Sequence, residues 1–211
     1  MQLEQRLRRA LAGTHEAPPR PIISLELPMK LDRFVAPVLM KSLRPAAVLA
    51  PVIRRGDGLT MLFTRRSDEL RSHRGQISFP GGRRDEEDTS FASAALREAH
   101  EEIGLSPESV EIVGYLDDYP TITRYLVTPV VGIVDRAPEF TPHAREVAEV
   151  FEVPLDIVLD ADRYERKAFM RGGVKVPFFE LNYQSYRIWG ATAGMLWNLV
   201  EKVNALTEAQ T

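Results

Sequence analysis

Cysteine is absent from all 211 residues. That absence removes disulfides, thiolate zinc sites and cysteine nucleophiles together. Any metal must then be held by oxygen or imidazole, which favours Mg²⁺ or Mn²⁺ over structural zinc. Long hydrophobic runs are missing as well. No segment approaches the roughly 18 apolar residues that a bilayer span needs, and the N-terminus carries no apolar stretch of the signal-peptide type. The expectation is a cytoplasmic protein with no membrane partner. Excess positive charge is also lacking: 27 Lys and Arg stand against 30 Asp and Glu, a formal net charge of −3. This argues against general nucleic-acid affinity while leaving room for a local basic pocket. Internal repeats and low-complexity tracts are absent too.

What is present suits a globular chain. The apolar share of 44% is ordinary for a folded protein and sufficient for a sizeable core. The length fits one domain with a decorated terminus, divided as an N-terminal helix and arm over residues 1–44, packed on a domain spanning residues 45–211. The first 13 residues are charged and amphipathic, with Leu3, Leu7 and Leu11 at helical spacing. The stretch Ala17-Pro18-Pro19-Arg20-Pro21 cannot continue a helix. Beyond it, residues 46–53 and 59–65 read as strands joined by a turn at 54–58, and 75–79 as a short strand running into the breaker Pro80-Gly81-Gly82. Further strands are expected at 110–115, 127–134, 147–153, 174–181 and 185–189. A last helix is expected over 191–206. Strands mixed with two or three helices indicate an α/β or α+β sandwich.

The informative segment is residues 81–105, GGRRDEEDTSFASAALREAHEEIGL. Asp88 or Thr89 can cap a helix there, and Gly104 is suited to close it. Ala92, Leu96, Ala99 and Ile103 form a narrow apolar stripe that can pack on a sheet. Glu98, Glu101 and Glu102 fall at i, i+3 and i+4, so they share a face, expected to point away from that stripe. Three neighbouring carboxylates repel one another, and a hard divalent cation reverses the sign. Three glutamates alone most often make a solvated acidic surface. The context is what sharpens the reading: Arg97 sits where it can orient a carboxylate, a Gly-Gly turn lies upstream, and a glycine follows immediately.

The run Arg97-Glu98-Ala99-His100-Glu101-Glu102-Ile103-Gly104-Leu105 resembles the core of the Nudix box, R-E-U-x-E-E-x-G-U, with every charged and glycine position matched. It departs at Ala99, small for U, and in a Gly82-to-Arg97 spacing one residue longer than usual. Asp88 is the nearest acidic candidate for the upstream glutamate. Leu62-Phe63-Thr64-Arg65, followed by Gly75-Gln76-Ile77-Ser78-Phe79-Pro80-Gly81-Gly82, resembles the extra motif of the coenzyme A pyrophosphatase branch, which tolerates that longer spacing. Looser echoes lie at 127–130 and 188–192.

The resemblance implies an α/β/α sandwich with a mixed β-sheet. It also implies hydrolysis of a nucleoside diphosphate linked to a second moiety, with Glu98, Glu101 and Glu102 holding Mg²⁺ or Mn²⁺. Gly81 and Gly82 would allow close approach of metal or phosphate because no side chain intervenes. Arg65, Arg66, Arg71 and Arg74 lie within ten positions, with His73 among them. Singly each reads as surface charge, and as a group they are candidate phosphate clamps. The general base is left open between a box glutamate and a loop acid; His143, Glu146 and Glu149 lie in a loop-to-strand region and take no role. His100 reads as an exposed helix residue. Tyr115, Tyr119 and Tyr125 could stack on adenine but more simply pack at the core's edge, and Trp189 and Trp197 read as core.

Three functions follow. The first is cleavage of coenzyme A or its derivatives to 3′-phospho-ADP and 4′-phosphopantetheine. The second is another pyrophosphatase activity, on ADP-ribose or NADH. The third is a catalytically silent nucleotide-binding regulator, against which stands the presence of all three glutamates. Two roles fit the N-terminal arm, a cap over the pocket or a homodimer contact.

Overall fold

The computed structural model describes residues 2–18, 20–23, 42–56, 58–68, 75–135, 139–171 and 174–208. Two long strands organise it. In β1 (Arg44–Arg55) and β7 (Tyr125–Val134) both faces are apolar, and the two pair in parallel from Arg44↔Tyr125 to Ile53↔Val134. A strand buried on both faces reads as a near-continuous hydrophobic run and needs cover on each side. That pattern places the pair at the centre of the sheet.

Around them β2 (Gly58–Arg66), β3 (Ile77–Ser78) and β5 (Val110–Tyr115) complete the order β3-β2-β1-β7-β5. Off that path, β4 (Gly81–Arg83) pairs with β1, β6 (Tyr119–Pro120) with β7, and β8 (Val147–Pro154) with β2. Every pairing except β1 with β7 is antiparallel, so the sheet is mixed. A second antiparallel sheet holds β9 (Tyr164–Arg171), β10 (Val174–Tyr183) and β11 (Tyr186–Trp189) in the order β11-β10-β9.

The side-chain period of two divides the core. Ala47, Leu49 and Ile53 of β1 and Val130 and Val134 of β7 face α2 (Phe91–Ile103), meeting its Ala94, Ala95, Ala99 and Ile103. Ala46, Ala50, Val52, Val131 and Ile133 face the opposite way. There they meet α1 (Gln2–Leu11) through Leu7 and Leu11, and α4 (Ala191–Glu208) through Leu196, Leu199 and Val203. Each such leucine contributes about 2 kcal/mol when fully buried. A short α3 (Leu155–Val158) follows β8. The result is an α/β/α sandwich with helices on both faces of a mixed sheet, as the motif implied. Among the described residues, no helix is long and apolar enough to cross a membrane.

Several local expectations need correction. Ser90 caps α2, in place of Asp88 or Thr89, through a reciprocal box with Ser93; the Asp88 carboxylate is occupied by Arg97. Gly81 and Gly82 belong to a strand, because Ala47 and Val48 offer them a backbone ladder. The buried face of α2 is Ala94, Ala95, Ala99, Glu102 and Ile103, with Ala92 and Leu96 at its margin. Glu102 thus turns inward, away from the solvent side expected for it. Trp189 and Trp197 are only partly buried, packing at the edge on Phe178 and on Phe179 with Tyr164.

Candidate active site on the carboxylate helix

Helix α2 is held to the sheet by small residues. Ala94, Ala95 and Ala99 are fully buried, which lets the helix lie close to β1 and β4. It stops at Gly104, whose φ of 71° is the left-handed conformation that glycine adopts without a Cβ penalty. Its last carbonyls are taken by the following loop: the Thr141 N–H donates to Ile103 O at 2.9 Å and the His143 N–H to Glu102 O at 2.8 Å.

The three box glutamates occupy three environments. Their side chains are 6% exposed at Glu102, 17% at Glu98 and 58% at Glu101. Glu98 lies against β4 so closely that a Cβ at Gly82 would displace its carboxyl group. Arg97 organises the outer side. Its guanidinium donates to Glu98 Oε1 at 2.9 Å and to Glu101 Oε2 at 3.4 Å, and grips both oxygens of Asp88 at 3.1 and 2.9 Å. The remaining bond goes to Arg83 O, at 3.0 Å. Asp88 is held below the usual carboxylate range by that guanidinium.

Glu102 is the most enclosed. Burial pushes its carboxyl up to about 7, aided by the negative charges of Glu98 and Glu146 and opposed by the Arg66 charge and a Gly81 N–H. Burial raises Glu98 as well, against the pull of Arg97. Arg66 reaches Glu102 at 4.0 Å, and its Nε is buried without a hydrogen-bond partner among the described residues.

The arginine cluster separates. Adjacent strand residues point to opposite faces, so Arg66 approaches α2 while Arg65 goes to the other face. There Arg65 donates to Glu149 at 2.9 Å, and Glu149 also accepts the Tyr186 hydroxyl. Arg71, Arg74 and His73 lie outside the described residues. His143 and Glu146 form an exposed pair at 3.5 Å on the loop beside α2. His100 is exposed, and Tyr115, Tyr119 and Tyr125 are partly buried at the edges of the two cores.

Two contacts of the site were not visible in the motif. Glu16 reaches the first turn of α2, with its Oε2 accepting the N–H groups of Phe91 and Ala92 at 3.0 and 3.4 Å. Glu146 lies near enough to Glu102 to raise it. No local pattern marks Glu16, which arrives from a distant segment, whereas Glu146 lies in the loop-to-strand region that the sequence offers without a role.

The donor set suits a divalent cation. Among the described residues no three Asp, Glu or His side chains are gathered closely enough to hold an ion as they stand, because Glu101 is turned outward to Arg97. The fit is carried by Glu98 and Glu102: two poorly hydrated carboxylates whose charges oppose each other, beside a glycine that leaves the carboxyl group room. A hard cation with oxygen ligands relieves that repulsion and completes its shell with water.

The NUDIX domain profile matches residues 43–171. A Nudix hydrolase named NudL from Cronobacter sakazakii is 41% identical over 187 residues, covering 83% of this chain and 96% of its own length. The NudL protein of Citrobacter koseri is 44% identical over 161 residues, 76% of this chain and 83% of its own. Among solved structures, the Nudix hydrolase RenU from M. Smegmatis has a TM-score of 0.49 and 20% identity, covering 80% of this chain and 88% of that one.

Proposed function

The chain belongs to the Nudix family of hydrolases, and from that premise we propose that it cleaves the diphosphate linkage of coenzyme A or a coenzyme A derivative. Water adds to one phosphorus, the bridging oxygen leaves with the other, and the products are 3′-phospho-ADP and 4′-phosphopantetheine. Glu98 and Glu102, with Glu101 turned in, would hold Mg²⁺ or Mn²⁺. Such an ion neutralises the diphosphate oxygens and makes bound water a better nucleophile.

The observation that carries this reading is the juxtaposition of Glu98 with Gly82 and of Glu102 with Arg66. It joins the box helix to Gly82, at the end of the upstream motif, and to Arg66, the residue that follows that motif's Arg65. Residues 62–65 lie on β2, Ile77 and Ser78 on β3, and Gly81 and Gly82 on β4, so the segment that by resemblance marks the coenzyme A branch reaches the carboxylates at its Gly82 end. Arg66 brings to that border a guanidinium whose Nε has no partner among the described residues, and guanidinium forks match phosphate oxygens. Arg97 and Asp88 keep Glu98 oriented from the other side.

Hydrolysis of coenzyme A, ADP-ribose and NADH, side by side with Mg²⁺ and with Mn²⁺, tests the reading, with Glu102→Gln as control. Rapid cleavage of coenzyme A alone, lost in the variant, is the expected result. Preference for ADP-ribose or NADH would overturn the substrate and leave the reaction. Cleavage of none of the three would favour a binding role, which calorimetry with the same ligands would register.

A further inference from the structure

We propose that Glu16 is a positioning residue for the carboxylate helix. From a segment that precedes the matched domain, it closes the N-terminus of α2 and so fixes where Glu98 and Glu102 offer their oxygens to a divalent cation. The proposal rests on the metal-site reading above.

An α-helix leaves its first N–H groups without intrahelical partners. In α2 the Ser93 N–H goes to Ser90 Oγ at 2.8 Å and the Ala94 N–H to Ser90 O at 3.2 Å. Phe91 and Ala92 remain, and both donate to the single oxygen Glu16 Oε2. The Tyr115 hydroxyl donates to the same atom at 3.4 Å. The helix has no acidic residue in its own first turn, so Glu16 also supplies the negative charge that the positive end of a helix dipole favours.

Glu16 is fixed from both directions along its own segment. Before it, Thr14 Oγ1 accepts the Tyr115 N–H at 2.9 Å and donates to Leu11 O at 2.6 Å. After it, Arg20 donates to Asp118 at 2.7 Å and to Leu116 O at 2.5 Å, with its guanidinium over the Tyr115 ring. The Arg20 and Asp118 side chains are 6% and 9% exposed, so this anchor is a buried one. Backbone bonds from Ile23 N to Asp118 O and from Asp118 N to Pro21 O continue it.

The position of α2 along its axis matters because it sets where the Glu98 carboxyl group lies against Gly82 of β4. The far end of the helix is tied by Thr141 and His143; Glu16 supplies the tie at the near end. Glu98 lies seven residues beyond Phe91, about 10 Å along a helix, so Glu16 acts through the helix and not by touching the ion.

The test is a calorimetric Mn²⁺ titration of the full chain as wild type, Glu16→Ala, Glu16→Gln and Glu16→Asp, with amide hydrogen exchange followed over residues 91–103. Glu16→Ala is expected to weaken Mn²⁺ binding about fivefold, the scale of a lost helix cap, and to speed exchange in the first turn. Glu16→Gln keeps an acceptor oxygen at the same reach and recovers most of the affinity. Glu16→Asp keeps the charge but shortens the reach; it weakens binding, and the comparison with Gln stands even if the alanine variant fails to fold. Variants that lose melting temperature while binding Mn²⁺ as wild type does would overturn the proposal alone. A wild-type chain that bound no Mn²⁺ would overturn the metal reading and the proposal with it.

Discussion

Arg97 and Asp88 form a two-pronged pair, Nε to Oδ1 at 3.1 Å and Nη2 to Oδ2 at 2.9 Å, with the Asp88 side chain 6% exposed. The pair ties the loop before α2 to the middle of that helix, and it leaves Nη1 of Arg97 for Glu98 and Glu101. Asp88→Ala removes a buried charged acceptor and frees the guanidinium. Urea denaturation is expected to show a loss of about 2 kcal/mol, the range of a hydrogen-bonded charge. Hydrolytic activity should fall as well, because Glu98 loses its orienting partner. A variant as stable as wild type would show that the pair is replaced by water.

Gly82 faces the Glu98 carboxyl group at a separation that admits no Cβ. Gly82→Ala therefore forces either β4 or the carboxylate to move. The flexible carboxylate is the softer of the two, so Glu98 gives way and the loss of stability stays below the roughly 1–3 kcal/mol of overpacking a rigid core. The expected signature is a loss of kcat larger than the loss of stability suggests, with Mn²⁺ affinity reduced. Steady-state kinetics and a thermal melt on the same preparation separate the two effects.

Glu102 illustrates a conflict between stability and chemistry. Its carboxyl is enclosed on the buried face of α2, near the charges of Glu98 and Glu146, with Arg66 no closer than 4.0 Å. Glu102→Gln removes a poorly compensated charge at nearly constant shape. The metal-free variant should melt at or above the wild-type temperature, as strained functional sites commonly do when relieved. Catalysis should fall by about 100-fold or more, the scale of losing one preorganised electrostatic contact. A marked drop in melting temperature would mean that Arg66 compensates Glu102 better than the geometry indicates.

Particular residues show why some of this was legible in the sequence and some was not. The strand expected at 110–115 coincides with β5, and the stop at Gly104 is where α2 ends, because both depend on local periodicity and backbone preference. The cap is not legible locally because Asp88, Thr89 and Ser90 are all competent, and Arg97, nine residues on from Asp88, engages the Asp88 carboxylate and leaves the cap to Ser90. Strand β9, YERKAFMR, has no clear alternation and exists through its pairing with β10. Helical spacing points to a stripe with Ala92 and Leu96, whereas close packing on β1 selects Ala94 and Ala95 and carries Glu102 inward. The contact of Glu16 with Phe91 spans 75 positions, beyond any local pattern.

Glu180 gives a pH dependence that can be measured without substrate. Burial raises its carboxyl, but bonds from Arg187, Lys167 and Asn182 outweigh that and hold it at about 2. A depressed folded-state value means that the stabilisation is fully present above the unfolded value, near 4.5. It is lost as pH falls toward 2, since the unfolded chain takes up the proton first. Between those limits wild type should lose on the order of 2 kcal/mol through this group, discounted because Lys167 and Arg187 are partly exposed. Melting temperatures from pH 6 to about pH 3 should therefore fall more steeply for wild type than for Glu180→Gln. Parallel curves would assign the acid sensitivity elsewhere.

Arg66 is where the substrate reading is most exposed to test. It carries a buried Nε without a partner among the described residues and a guanidinium 4.0 Å from Glu102, whereas Arg65, one position earlier, is already bonded to Glu149. The two should therefore respond differently. Arg66→Ala removes the guanidinium that faces Glu102 and leaves that carboxylate without its opposing charge, so KM for coenzyme A should rise about tenfold, the scale of one charged hydrogen bond. Arg66→Lys keeps the charge but not the fork, and should recover part of that loss. Arg65→Ala should leave KM near wild type and lower stability slightly through Glu149 and Tyr186. If Arg65→Ala raised KM and Arg66→Ala did not, the phosphate contacts would lie on the opposite face of β2.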